Sequence, residues 1–241
     1  MRIYLCGQKS FGREVLKALL GTSHEVVGVS APLEKYGGGE DGLHYYARNV
    51  GLPILTAGEL RASTLPRDTD LIVCAHSHDF IGRKTRHALR IGAIGYHPSL
   101  LPLHRGRDAV KWTVRNGDRV TGGSVYWLND TVDGGPVAAQ DFCLVRPNDD
   151  ARKLWQRELL PMGVRLVMQT LADIESGVII RVPQDEALAT WEPSLDAAPL
   201  HRPELPELPA PGVASEFKVV TARHESWGMF AYGHMNNNGS N

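Results

Sequence analysis

The chain has 241 residues, 42 % of them hydrophobic and 22 % charged, a balance that suits one core-forming domain with an appendage. A formal net charge of −1 supplies no global field for nucleic acid or an anionic membrane, so neither is expected as a partner. No stretch approaches the roughly 20 apolar residues that span a bilayer, and the opening MRIYLCGQ reads as a strand rather than a signal peptide. The three cysteines, Cys6, Cys74 and Cys143, sit far apart in apolar runs without a CxxC pair. They fit buried thiols in a reducing compartment, so the cytoplasm is the expected location and no zinc site is expected.

In chain order, Arg2 to Cys6 reads as a buried strand and Gly7 to Ser10 as a turn. Phe11, Val15, Ala18 and Leu19 then share one helical face. His24 to Ser30 is a second strand. After the loop Gly37-Gly38-Gly39, a helix carries Leu43, Tyr46, Ala47 and Val50. Pro53 to Leu55 and Asp70 to Ala75 are strands, Arg83 to Arg90 a basic helix, and Ala93 to Tyr96 a further strand. Strands alternating with helices predict an α/β fold, a doubly wound and mostly parallel sheet. Ligands of such sheets collect beyond the carboxyl ends of the strands. That rim holds Gly7 to Phe11, His76 to Ile81, and His97 onward.

The second half changes character. Asp108 to Asn116 predicts a helix, and Thr121 to Leu128 and Pro136 to Val145 two strands around the turn 129–135. A long helix begins at Asp149-Asp150 and ends near Gly177, with Pro161 and Gly163 expected to kink or split it. From about Pro193 proline dominates, which predicts an extended strap over 193–241 without its own core, with one added strand at Glu216 to Ala222. The catalytic domain is therefore expected over 1–192.

Chemistry concentrates in Tyr96-His97-Pro98-Ser99-Leu100-Leu101-Pro102. A histidine at a strand end, followed by a proline-bounded turn, is held rigidly, as an acid–base group must be. Further on, Asp133 stands on a glycine-flanked turn, Val132-Asp133-Gly134-Gly135-Pro136. A carboxylate beside an imidazole orients the ring and favours its charged form. Each residue alone reads more readily as an ordinary turn residue than as a catalytic one. His76 and His78 suggest a metal only if their strand runs past Ala75; it is read as ending there, which leaves rim hydrogen bonding. Gly7 to Gly12 lacks the GxGxxG spacing of nicotinamide sites. Lys9 at a helix N-terminus suits either an anionic acceptor or a solvated loop. Arg105 and Arg107 suit an acidic ligand or a solvated turn.

Taken together, HPSLLPLHRG and TGGSVYWLNDTVDGGP resemble the folate-dependent formyltransferase family. The family includes glycinamide ribonucleotide, methionyl-tRNA and sugar-amine formyltransferases. The resemblance spans residues 1–192 and runs furthest toward the N-terminal hydrolase domain of 10-formyltetrahydrofolate dehydrogenase. It takes in Gly7-Gln8, Phe11-Gly12, Glu14-Val15, His24 to Val29, Phe80-Ile81, Trp112-Thr113, Gly117-Asp118 and Pro183-Gln184.

The resemblance implies a formyltransferase-type Rossmann variant using 10-formyltetrahydrofolate as formyl donor. His97 matches the catalytic histidine and Asp133 the aspartate that orients and polarises it. Leu128, Asn129, Asp130, Thr131 and Val132 match the loop around the pterin, and His78, Asp79, Phe80 and Ile81 the opposite wall. Lys9, Gly95, Arg105 and Arg107 fall on the acceptor side. Most members place an asparagine, an oxyanion donor, where this chain has Gly95. Loss of such a donor costs on the order of 10² to 10³ in rate. Three readings stay open: a hydrolase with water as acceptor, transfer to a small amine that supplies its own donor, or a weakened folate binder. Methionyl-tRNA is disfavoured as acceptor, because little chain follows Pro193 to form the barrel domain of those enzymes. The same shortness argues against full dehydrogenase activity.

Overall fold

The computed structural model describes residues 1–34, 37–77, 79–193 and 195, and the backbone of 218–220. Six segments open the chain: β1 (Arg2–Gly7), α1 (Lys9–Leu20), β2 (Glu25–Ala31), α2 (Gly42–Asn49), β3 (Ile54–Thr56) and, without an intervening helix, β4 (Leu71–Ala75). Next come α3 (Arg83–His87), β5 (Gly92–His97), β6 (Arg105–Gly106), α4 (Ala109–Asn116), β7 (Val120–Trp127) and β8 (Val137–Leu144). A seven-stranded sheet has the order β3-β2-β1-β4-β5-β7-β8. It is parallel from β3 to β5, after which β7 and β8 run antiparallel. The expected mostly parallel sheet is present, and the reversal at β5 to β7 starts the turn 128–136 beside Ala93, near the amino end of β5.

Strand alternation divides the core. Leu5, Val73 and Ile94 join the apolar faces of the helices, with Phe11, Val15, Leu16 and Leu19 from α1. Tyr4, Cys6, Ile72 and Cys74 point the other way, into a smaller cluster with Leu60, Ile81, Leu89 and Ala93. Irregular chain and the five-residue α3 cover that second face, where a longer helix to Arg90 was expected. It is this more thinly covered face that carries the site.

The long helical stretch is split, as Pro161 requires. α5 (Ala151–Leu154) passes through a π-turn, Trp155–Leu159, into α6 (Leu160–Glu175). Proline lacks the N–H that would continue the ladder to the preceding turn; at the junction the Leu159 carbonyl also accepts the Tyr96 hydroxyl at 2.7 Å.

β9 (Val178–Ile180) follows, then a 3₁₀ turn at Glu186–Leu188 and β10 (Trp191–Glu192), which pairs with β6. The added strand expected near the C-terminus appears as β11 (Lys218–Val220), parallel to β9. The remainder of the proline-rich strap lies outside the described residues. Among the described residues no helix is long and apolar enough to cross a membrane.

Candidate active site

β5 delivers His97 at its carboxyl end, buried but for 7 % of its surface. The following turn is braced from β7 and β8. Ser124, paired with His97 across the sheet, donates its hydroxyl to the Ser99 carbonyl and accepts the Leu101 amide. The Gln140 amide reaches both the Ser124 hydroxyl and the Leu101 carbonyl. His97 therefore has little freedom at its backbone.

Its ring is fixed as well. Nε2 lies 2.7 Å from the His104 carbonyl. A carbonyl only accepts, so Nε2 carries a proton, and Nδ1 is the lone-pair nitrogen of the neutral ring. Nδ1 faces the Asp133 Oδ2 at 3.6 Å, longer than a direct hydrogen bond. A proton arriving at Nδ1 would meet a carboxylate.

Asp133 sits in the left-handed region, φ 52°, which aspartate tolerates better than most residues. The Gly106 amide donates to its Oδ2 at 2.8 Å and the Tyr126 hydroxyl to its Oδ1 at 2.6 Å. The Gln184 amide donates to the carbonyls of Asp133 and Gly135, each at 2.7 Å. Gly135 is compulsory: a Cβ there would lie 1.6 Å from the Trp127 carbonyl oxygen. Burial, and then the Asp133 carboxylate, hold the Tyr126 phenol well above its usual titration range. It remains a donor at any working pH.

The segments matched to the two folate walls are tied together. Arg86 donates to the Ile81 carbonyl at 2.5 Å and to Asp130 at 2.5 Å, and Arg83 donates to the other Asp130 oxygen at 2.7 Å. The hydrogen bond from Arg83, aided by Arg86, holds the Asp130 carboxyl below the usual carboxylate range. Ile81 is buried in the smaller cluster and Leu128 packs against that cluster. Phe80 and Val132 remain 54 % and 43 % exposed. The Asn129 Oδ1 accepts the Thr131 amide, which tightens the loop. Asp79 accepts the Ser30 hydroxyl at 2.8 Å. His78 lies outside the described residues.

The acceptor-side residues scatter. Arg105 is completely buried. Its guanidinium donates to the Gln184 Oε1 and, through two bonds, to Glu186, with Trp191 against its face. It is a brace beneath Asp133, where an acceptor-facing cation was expected. Arg107 is exposed. The Lys9 side chain is exposed too, but its amide, the donor expected for an anion, is taken by Asp41 at 2.8 Å. Gly95 lies opposite Tyr126 in the sheet.

Sequence reading missed three contributors. Tyr126 follows Ser124 at strand spacing, so alternation alone places it on the His97 face. Gln184 was visible as part of the Pro183-Gln184 likeness without a role. The His104 carbonyl leaves no signature, since a backbone acceptor has no residue type.

Residues 55–169 match the family model described as formyl transferase. The mitochondrial 10-formyltetrahydrofolate dehydrogenase of Mus musculus is 36 % identical over 202 residues, covering 80 % of this chain and 22 % of that protein. The chain thus spans about a fifth of the dehydrogenases it matches. A methionyl-tRNA formyltransferase of Lactobacillus delbrueckii subsp. bulgaricus is 29 % identical over 206 residues, 81 % of this chain and 65 % of that one. The crystal structure of phosphoribosylglycinamide formyltransferase from Bacillus halodurans has a TM-score of 0.60 at 20 % identity, over 73 % of this chain and 96 % of that one, a likeness of fold. Fold, sequence relatives and matched segment agree: the chain carries a domain of the formyl transferase family.

Proposed function

We propose that this chain moves the formyl group of 10-formyltetrahydrofolate to a small amine, with His97 as proton carrier and Asp133 as the group that orients it and balances its charge. The observation that carries the reading is the His97 ring, with Nε2 donating to the His104 carbonyl and Nδ1 facing Asp133 at 3.6 Å. The residues suit a flat donor: Ile81 and Leu128 share one apolar cluster, exposed Phe80 and Val132 stand on the same two segments, and Arg86 bonds both segments.

10-Formyltetrahydrofolate supplies the activated formyl group. In the neutral ring, the Nδ1 lone pair takes the proton of the attacking amine. The resulting imidazolium keeps its donation to His104 and gains Asp133 as counter-charge. It can then donate from Nδ1 to charge developing during acyl transfer, and finally to the departing nitrogen. Each step uses a single nitrogen of a ring that cannot turn without losing the His104 contact.

Water as the acceptor is a second reading, favoured by Gly95, which offers no side-chain donor beside His97. Incubating protein with 10-formyltetrahydrofolate, with and without a panel of amines, separates the two. Formylated amine by mass supports transfer, and amine-independent formate supports hydrolysis. His97→Ala and Asp133→Asn should each lower turnover by about 10² to 10⁴ while tetrahydrofolate still binds. Turnover unchanged in His97→Ala would sink the reading.

A further inference from the structure

Gly95 and Tyr126 are register partners across β5 and β7. A Cβ at position 95 would lie 3.3 Å from the Tyr126 Cε1 and 3.2 Å from the Leu128 Cδ1. The tyrosine ring therefore lies over bare backbone, in space that a side chain at 95 would contest. From there its hydroxyl reaches the Asp133 Oδ1 at 2.6 Å, while His97 follows Gly95 by two residues on the same strand face. The ring spans from the one position of that face without a side chain to the carboxylate.

We infer that Tyr126 is a positioning residue of the acyl-transfer centre and that Gly95 is its structural partner. The inference rests on the function proposed above. A carboxylate turns easily about its terminal torsion, whose energy wells are broad. The Gly106 amide on Oδ2 restrains one oxygen only. A second donor on Oδ1 fixes the carboxylate plane, and with it the direction in which Oδ2 faces the His97 Nδ1. Tyr126 touches neither donor nor acceptor in this account; it acts through Asp133. Gly95 admits the ring at the distance this requires.

Steady-state kinetics with 10-formyltetrahydrofolate test it on three variants: Tyr126→Phe, Gly95→Ala, and both together. Tyr126→Phe removes one oxygen and keeps the packing. It should lower kcat about tenfold, the low end of what a lost hydrogen bond to a charged group is worth, and leave the KM for the donor within about twofold. Gly95→Ala should displace the ring and lower kcat similarly. Since both act through one contact, the double variant should be no slower than the slower single one. Tyr126→Phe at wild-type kcat overturns the inference while the His97 and Asp133 reading stands, and so do single losses that multiply in the double variant. A rise in donor KM at unchanged kcat also overturns it, because it assigns Tyr126 to binding. Wild-type protein that leaves the donor intact overturns the functional reading itself, and this inference with it.

Discussion

Replacing Gln184 with methionine keeps its volume and deletes four hydrogen bonds at once. Two run from its amide to the carbonyls of Asp133 and Gly135, and two run from Arg105 to its Oε1, at 3.1 and 2.7 Å. Neutral bonds are worth about 1 kcal/mol each, and those to a charged donor about 1.5 kcal/mol or more. Arg105 keeps its two bonds to Glu186, whose side chain is largely exposed to water, so the low end applies and the total loss is about 5 kcal/mol. For a chain of this size that lowers Tm by roughly 10 to 20 °C. Calorimetry at neutral pH measures it, with kcat read on the same preparations. Because the amide holds the backbone of Asp133, kcat should also fall about tenfold. Gln184→Glu, which retains a partner for Arg105 but loses both donors, should melt between the two. A methionine variant melting within about 2 °C of wild type would refute the idea that this side chain holds the aspartate turn.

Gly135→Ala should destabilise by about 3 kcal/mol or more, because the new methyl meets the Trp127 carbonyl, backbone that cannot swing aside; urea unfolding reads the loss, and a midpoint equal to wild type would contradict the close approach. Asp130→Asn should weaken tetrahydrofolate binding and lower stability at neutral pH, since Arg83 and Arg86 hold the carboxyl below its usual range. A depressed folded-state pKa contributes stability that is complete above the unfolded-state value and disappears as pH falls through the folded one. The gap between wild type and Asp130→Asn should therefore begin to narrow near about pH 4 and close only as pH falls through the lower folded-state value; chemical unfolding at pH 7 and pH 3 checks it, and a gap unchanged at pH 3 would exclude the ion pair as its source.

Much of the frame was legible because its determinants are local. Buried runs such as Leu71–Ala75 and the spaced apolar positions of α1 announce strand and helix through periodicity. Pro161 likewise announces a break, because its missing N–H acts on its own turn. The site was legible only in part. His97 and Asp133 carry their chemistry in their residue types. The donors and acceptors that aim them come from Tyr126, Gly106, Gln184 and the His104 carbonyl, brought in by sheet register and a distant return of the chain. Arg105 shows the limit most clearly. A guanidinium beside a glycine in a turn looks solvent-facing in sequence, yet Gln184 and Glu186 arrive from far along the chain and enclose it.

The strip from Gln184 to Glu192 touches both halves of the reacting pair. Gln184 grips the aspartate turn, the Thr190 hydroxyl accepts the His104 amide, and the Glu192 carboxylate meets the His104 ring. A single nick within those residues would slacken imidazole and carboxylate together, although neither belongs to the cut segment. Mechanical tension exerted from downstream would follow the same route, so whatever is joined beyond this strip has a handle on the chemistry without reaching the substrate.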